Sequence, residues 1–241
     1  MKNKNFFYLQ YNKINWENQE KTKINYFVYK FIIDNLVIKN SSKKIKIFDI
    51  GFGIGLFIKM LIDQLERNNK EMIIAGCEPS DKNYKNFTNQ SLINKKEVKL
   101  SVYNKTFQDL KTNGKFDFIT AIYVFPHFTF EDLKKIVKKI HDMLDDRGKF
   151  ILVVAEEKYF KEKLRTKKDL FIEQNVINFN SKSYIEFLHY SDIPKIGKVI
   201  DYNREEAFYI DFFKKNNFKL NQKKNLNDNN FICTTFVFEK R

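Results

Sequence analysis

Three closely spaced glycines follow a short hydrophobic run near residue 50. The run reads KIKIFDI over residues 44–50, and Gly51, Gly53 and Gly55 come directly after it in a chain that has seven glycines. Glycine at a turn lets the backbone bend tightly and approach a ligand without an intervening Cβ. In doubly wound sheets, ligands bind beyond the carboxyl ends of the strands. The pattern therefore predicts a ligand-binding turn between a strand and a helix.

Two acidic residues lie at informative distances from this turn. Asp49 precedes Gly51 by two positions, and Glu78 ends the next hydrophobic run, 23 residues after Gly55. A carboxylate at the second place can accept hydrogen bonds from both hydroxyls of a ribose. The third glycine of a dinucleotide fingerprint is absent, because residue 56 is Leu56. This difference disfavours a pyrophosphate cradle and makes a nicotinamide-dependent reductase the least favoured function.

Two histidines are candidate catalytic bases, because the pKa of an imidazole lies near neutrality. His127 comes directly after the predicted fourth strand, where a loop would face the ligand end of the sheet, and it is also a candidate substrate contact. His189 lies in the segment SYIEFLHY, within a long insertion over residues 157–203. Insertions at that place commonly form a lid or a substrate wall.

The insertion is rich in polar aromatic residues. We predict a substrate pocket lined by Tyr184, Glu186, His189 and Tyr190. The alternative is that SYIEFLHY is a half-buried strand whose alternating side chains face core and solvent. The sequence leaves both interpretations open.

Composition limits the class of protein. The chain of 241 residues is 43% hydrophobic and carries a formal net charge of +14, but only five of its 44 basic residues are arginine. Readers of nucleic-acid phosphates tend to use arginine as well as lysine, and the lysines here are scattered among acids, so a nucleic-acid partner is disfavoured. The two cysteines give neither a disulfide framework nor metal-ligand spacing, which predicts a reducing, cytoplasmic location and no metal. The sequence shows no secretory signal, and no run of about 18 apolar residues that would span a membrane.

Strand and helix patterns alternate along the chain. Strands are predicted over 44–50, 71–78, 97–103, 115–125, 149–155, 218–222 and 231–239, and helices over 24–37, 55–67, 81–92, 129–148 and 204–218. Alternating units of this kind favour an α/β fold with a doubly wound, mainly parallel sheet of seven strands, closed by an antiparallel C-terminal hairpin. We expect a single domain with an N-terminal helical cap over 1–40, a cofactor-binding core over 41–156, the insertion, and a last helix with the hairpin over 204–241.

Five segments resemble, in order, the motifs of class I S-adenosylmethionine-dependent methyltransferases. They are IFDIGFGIG (47–55), GCEPS (76–80), NKTFQDL (104–110), KFDFITAIYVFPHF (115–128) and LDDRGKFILVV (144–154). The last of these is similar to the small-molecule branch, and there is a weak local likeness to histamine N-methyltransferase-like enzymes. The resemblance implies S-adenosylmethionine as cofactor and S-adenosylhomocysteine as product.

The resemblance also implies roles for individual residues. The methionine part of the cofactor would be held by Asp49 and the glycine turn, the ribose by Glu78 with Pro79, and the adenine by Thr106 and Phe107, with Asp109 as a possible acidic substitute. Ile122 and Tyr123 would line the sulfonium and substrate side. Tyr11 and Trp16, in the N-terminal cap, would touch the substrate.

The absence of one motif reduces the number of candidate classes of methyl acceptor. Amino-group methyltransferases of nucleic acids in this fold carry an Asp/Asn-Pro-Pro-aromatic motif after the fourth strand, whereas this chain has IYVFPHF. We therefore predict methyl transfer to N or O of a small molecule. An RNA- or protein-directed methyltransferase and a non-catalytic cofactor-binding module are the alternatives. The sequence does not indicate an oligomeric state.

Overall fold

The hydrophobic run at residues 44–50 forms the first strand of a seven-stranded sheet. The computed structural model describes residues 22–89, 98–167, 170–193, 197–228 and 231–241. The strand order of the larger sheet is β3-β2-β1-β4-β5-β10-β9, and a smaller sheet has the order β6-β7-β8. The chain divides into two compact units, of which the first ends at Thr120 and the second begins at Ala121.

The first unit alternates helices and strands. Its elements are α1 (Lys23–Ile32, continued by a π-helical turn, Ile33–Ile38), β1 (Lys44–Ile50), α2 (Leu56–Arg67), β2 (Glu71–Cys77), α3 (Asp81–Thr88), β3 (Val98–Tyr103) and most of β4 (Phe116–Ile122). β2 pairs in parallel with both β1 and β3. The last four residues of β1 and of β2 are all buried, as expected for strands covered on both faces.

Helix α1 begins where the sequence provides a cap. The Thr22 hydroxyl accepts a hydrogen bond from the Asn25 amide, which satisfies one of the free N–H groups of the first turn. On the buried face of the helix, the Tyr29 ring packs against Phe57 of α2 at 5.6 Å. The predicted helix over 24–37 is confirmed, with its second half wound as a π-helix.

The second unit contains the remaining elements. They are a 3₁₀ turn (Phe125–His127), α4 (Phe130–Met143), β5 (Leu144–Ala155), α5 (Glu157–Thr166), β6 (Phe171–Phe179), β7 (Lys182–Ile193), β8 (Gly197–Arg204), α6 (Glu206–Lys215), β9 (Phe218–Asn227) and β10 (Ile232–Lys240). β10 pairs antiparallel with β5 and with β9, which confirms the predicted C-terminal hairpin. The architecture as a whole confirms the predicted α/β class.

Helix α4 has the predicted start but an earlier end. The Thr129 hydroxyl accepts a hydrogen bond from the Asp132 amide at 3.2 Å, which caps the first turn. The helix was expected to reach residue 148, but it ends at Met143 because Leu144 has an extended backbone with ψ 140°. Gly148 lies within β5 and does not cap the helix.

The insertion over 157–203 is regular, and the interpretation of SYIEFLHY as a strand is confirmed. It forms α5 and the antiparallel sheet β6-β7-β8, in which β7 is central. The polar pattern of β6 concealed this sheet, since the side chain of only one of its nine residues is buried. A small apolar cluster of Phe160, Leu164, Leu170 and Phe187 joins α5 to β7.

Strand β9 ends the order of the larger sheet and carries many lysines. Lys219, Lys223 and Lys224 are exposed, and a register shift interrupts the pairing of β10 with β9 at Val237 and Phe238. Among the helices of the described residues, none combines the length and apolar character needed to cross a bilayer.

Candidate functional site

The glycine turn after β1 adopts a backbone that other residues rarely tolerate. Gly51, Gly53 and Gly55 have φ angles of 68°, 56° and 79°, in the left-handed region. The Gly51 amide donates to the carbonyl of Cys77 at 2.8 Å, which ties the turn to the end of β2. A Cβ built on Gly55 would lie 2.1 Å from the Phe87 ring, so this position has room only for glycine.

Glu78 connects the glycine turn with the start of α3. One carboxylate oxygen accepts a hydrogen bond from the Gly53 amide at 2.9 Å, and the other accepts one from the Ser80 amide at 2.9 Å. Ser80 in turn caps α3, because its hydroxyl accepts from the Asn83 amide. The carboxylate is buried, so these amide dipoles stabilise its charge away from bulk water. Pro79, between the two, is half-buried.

Asp49 is also buried and has a hydroxyl partner. The Thr120 hydroxyl, on the adjacent strand β4, donates to Asp49 Oδ1 at 2.6 Å. Two carboxylates therefore lie at the ends of the first two strands of the first unit, as the sequence predicts from their positions after hydrophobic runs. Neither side chain would be expected to remain buried and charged without such donors.

The segment after β3 places Thr106 and Asp109 together. The Thr106 hydroxyl donates to Asp109 Oδ2 at 2.6 Å and accepts from the Asp109 amide at 3.1 Å. Phe107 is buried against Phe48, with ring centroids 5.7 Å apart, so its ring belongs to the core of the first unit.

In the second unit, a hydrogen bond joins His127 to an aspartate that the sequence did not single out. His127 Nδ1 lies 2.8 Å from Asp201 Oδ1, although 74 residues separate them. The side chains are 21% and 12% exposed, so the pair is mostly shielded from water yet not closed off. A histidine that donates through Nδ1 to a carboxylate presents the lone pair of Nε2 as a proton acceptor.

His189 lies opposite Asp201 in the pairing of β7 with β8. Its Nε2 is within hydrogen-bonding distance of the Asn203 side-chain amide, and its ring is buried. Burial lowers the pKa of His189 below the ordinary 6.5, although the nearby Asp201 acts in the opposite direction. The structure thus brings both predicted histidines to the same aspartate.

The other residues predicted to line the insertion have different surroundings. The hydroxyl of the buried Tyr184 donates to Asp211 at 2.6 Å. Burial, and to a smaller extent the Asp211 carboxylate, raises the pKa of Tyr184 to about 12. Glu186 forms a buried ion pair with Arg204. Tyr190 is half-buried and packs against the Phe160 cluster. Each of these side chains thus has a different neighbour, and the substrate pocket stays a prediction.

Ile122 ends β4, and Tyr123 follows it with a positive φ of 58°. A tyrosine in this conformation is uncommon, and it is held here by a hydrogen bond from its amide to the Val153 carbonyl at 2.9 Å. The Tyr123 ring packs edge-on against Phe231 at 5.8 Å. Tyr11 and Trp16, the predicted substrate contacts of the N-terminal cap, lie outside the described residues.

A protein-family model described as a methyltransferase domain matches residues 24–189. The chain belongs to the methyltransferase-domain family. This match covers well over half of the sequence and includes the glycine turn, Glu78, His127 and His189. It confirms the family predicted from the five motifs. No curated protein matches this methyltransferase.

Solved structures share its fold across nearly the whole chain. An S-adenosylmethionine-dependent methyltransferase from Clostridium acetobutylicum is 16% identical, with a TM-score of 0.62 and 98% of each chain covered. The PH0226 protein of Pyrococcus horikoshii is 18% identical, with a TM-score of 0.63. The alignment covers 96% of this chain and 99% of that one. A structure of magnesium protoporphyrin IX methyltransferase from Synechocystis has bound S-adenosylhomocysteine. It is 14% identical, with a TM-score of 0.64, and the alignment covers 98% of this chain and 94% of that one. At such identities the likeness establishes the class I methyltransferase fold.

Proposed function

We propose that this methyltransferase transfers the methyl group of S-adenosylmethionine to N or O of a small molecule. The observation that carries the proposal is the hydrogen bond between the Gly53 amide and Glu78. It joins the two elements on which a nucleoside cofactor of this fold depends, a glycine turn after the first strand and a carboxylate after the second.

The residues present fit such a cofactor. Glu78 would accept from the ribose hydroxyls through its remaining lone pairs, and Pro79 would flank it. Asp49 would bind the α-amino group of the methionine part, while the start of α2, which has no side-chain cap, favours the negative carboxylate.

A second set of atoms suits the adenine. Within the described residues, Asn104 Nδ2 and Gln108 Oε1 are buried without a hydrogen-bond partner. They offer one donor and one acceptor beside Thr106 and Asp109, and adenine carries both ring acceptors and an amino donor. Thr106, Asp109 and Phe107 remain our proposed adenine contacts.

A small-molecule acceptor is supported by the second unit. The His127 and Asp201 pair, mostly shielded from water, is suited to bind one polar group of a small acceptor and to hold a proton. Ile122 and Tyr123 remain the proposed neighbours of the methyl group. The cofactor supplies the electrophilic methyl carbon, so the protein has mainly to bind and orient the partners.

The state of the cysteines supports a proposal for the location of the protein. Cys77 and Cys233 are buried and free of disulfides, and burial raises the pKa of Cys233 to about 11, so this thiol is unreactive. We propose that the protein works in the cytoplasm, with a small molecule as its partner and without nucleic acid.

The decisive experiment has two stages. Calorimetric titration with S-adenosylmethionine and S-adenosylhomocysteine should show one site for each. Incubation with isotopically labelled methyl donor and separated small-molecule, RNA and protein fractions should then label the small-molecule fraction. Absence of cofactor binding would contradict the proposal, and labelling of only the RNA or protein fraction would replace the small molecule with that alternative.

A further inference from the structure

We propose that Asp201 is the positioning residue that makes His127 the general base of this methyltransferase, and that the acceptor is a hydroxyl group. This inference rests on the proposed function. It adds a residue that the motifs do not contain, and it chooses between the two acceptor atoms.

The geometry at His127 is that of an oriented imidazole. Asp201 Oδ1 lies 2.8 Å from Nδ1, a normal length for a charge-assisted hydrogen bond from an N–H donor. A carboxylate only accepts hydrogen bonds, so Nδ1 must carry the proton. In the neutral ring the lone pair then lies on Nε2. Asp201 thereby fixes both the tautomer and the direction in which the ring accepts a proton.

The backbone that carries His127 is held by the same strand. His127 lies at the end of the 3₁₀ turn, where its amide donates to the Val124 carbonyl at 3.0 Å. Arg204, at the end of β8, donates through Nη2 to the Phe128 carbonyl at 2.8 Å. Strand β8 therefore fixes the His127 side chain through Asp201 and the following peptide through Arg204.

His189 carries no positive charge that would compete with His127 for the Asp201 carboxylate. It is buried opposite Asp201, and its Nε2 interacts with the Asn203 amide. Burial lowers its pKa, so at neutral pH the ring is uncharged. The carboxylate can then stabilise positive charge that develops on His127 when this ring takes up a proton.

An oriented base indicates which acceptor it serves. A neutral amine attacks a methyl group with its own lone pair and needs no base for that step, whereas a neutral hydroxyl is a weak nucleophile that gains from losing its proton during attack. In the proposed step the acceptor oxygen forms a bond to the methyl carbon, and the carbon–sulfur bond breaks with its electron pair going to sulfur. The hydroxyl proton passes to Nε2 of His127, which becomes an imidazolium beside Asp201.

The tautomer can be measured without any substrate. The chain has three histidines, so long-range ¹H–¹⁵N correlation of the imidazole nitrogens resolves each ring once His127→Gln identifies its signals. We expect the Nδ1–H tautomer at His127 in the wild type. In Asp201→Asn the amide can donate to Nδ1, so the Nε2–H tautomer should gain population, while Asp201→Glu should restore Nδ1–H in part.

A matched control is available at a more exposed histidine–aspartate pair, His141 and Asp142. Asp142 lies 3.9 Å from His141 and is well exposed, so Asp142→Asn should leave the His127 tautomer unchanged. An Nε2–H tautomer in the wild type, or the same Nδ1–H signal in Asp201→Asn, would overturn the positioning role of Asp201. Cofactor titration of each variant separates this outcome from failure of the proposed function, which would show as no binding by the wild type.

The acceptor is tested with pooled hydroxyl and amine metabolites and labelled methyl donor. We expect label in the hydroxyl pool, and a fall in kcat of about 10²-fold or more in Asp201→Asn and His127→Gln, with cofactor affinity unchanged. Asp142→Asn should retain wild-type turnover. Label confined to the amine pool, or full turnover in His127→Gln, would overturn the hydroxyl assignment.

Discussion

The Gly53 amide donates a 2.9 Å hydrogen bond to the carboxylate of Glu78, 25 residues away. The second oxygen of this carboxylate accepts from the Ser80 amide. Glu78 therefore fixes the conformation of the glycine turn, and in the proposed site it would also accept hydrogen bonds from the ribose. A change at Glu78 removes both effects at once.

We expect Glu78→Ala to weaken S-adenosylmethionine binding by about tenfold or more. Each lost hydrogen bond to a charged group is worth about 1.5–3 kcal/mol, and 1.4 kcal/mol corresponds to a factor of ten. Isothermal titration calorimetry measures the dissociation constant. Glu71→Ala is the control, because Glu71 is exposed at the opposite end of β2. Equal affinity of the Glu78 variant and the wild type would argue against a ribose contact.

Gly55→Ala should destabilise the first unit. The new Cβ would lie 2.1 Å from the Phe87 ring at a φ of 79°, so overpacking and backbone strain act together and should cost about 1–3 kcal/mol. Denaturant unfolding gives the change in free energy. Gly114→Ala is a milder control, since its Cβ would meet the Phe116 ring at 3.0 Å without a positive φ. Similar losses for the two variants would contradict the strain argument.

Glu186→Gln should be strongly destabilising. Arg204 is completely buried and forms its ion pair with Glu186, so the variant leaves a buried charge without its counterion. Loss of one partner of a buried pair costs about 3–5 kcal/mol. Glu173→Gln, an exposed change on the neighbouring strand, should alter the unfolding free energy little. Replacement of both partners by Glu186→Leu and Arg204→Met removes the unpaired charge but also the Arg204 donor to the Phe128 carbonyl, so it should recover only part of the loss. Wild-type stability in Glu186→Gln would show that the ion pair does not stabilise the fold.

Acidification should destabilise the protein through His189. Burial lowers the pKa of His189 in the folded state, so the unfolded chain binds this proton near pH 6.5 and the folded chain binds it only at lower pH. The contribution of neutral His189 to the free energy of unfolding is therefore fully present above that pH. It is lost as the pH falls towards the folded-state pKa. Urea unfolding between about pH 7.5 and pH 5.5 measures the slope.

The control for this prediction is His189→Gln, which should show a shallower slope. His127 and His141 are present in both proteins, so the difference between the two slopes isolates His189. Identical slopes would mean that His189 takes up its proton equally well in both states.

The core of the fold could be predicted because local pattern and burial agree there. Strands β1 and β2 are short hydrophobic runs, with Asp49 near the end of β1 and Glu78 directly after β2, and helix α4 buries one face at helical spacing. These features depend on residues that are close in sequence. The glycine turn and the carboxylate after β2 were predicted for the same reason, although the sequence did not reveal that Gly53 and Glu78 bond to each other.

The smaller sheet and Asp201 escaped prediction because both depend on distant residues. Strand β6 has one buried side chain, so its hydrophobic pattern is too weak to show a strand until β7 pairs with it. Asp201 gained its significance only when β8 brought it to His127. One signal could have suggested that β7 and β8 form a polar strand pair. It is the alternation of Asp201 and Asn203 in VIDYNR, together with the histidine of FLHY in the preceding segment.

The lysines of β9 have a practical consequence for these experiments. A terminal strand offers unpaired amides and carbonyls on which another molecule could add a strand, and charged side chains with a bulged register oppose such growth. Lys219 and Lys224 would repel the same strand of a second molecule at neutral pH, whereas Lys223 is paired with Glu206. Concentrated samples should therefore stay dispersed, with little tendency towards fibrous aggregation.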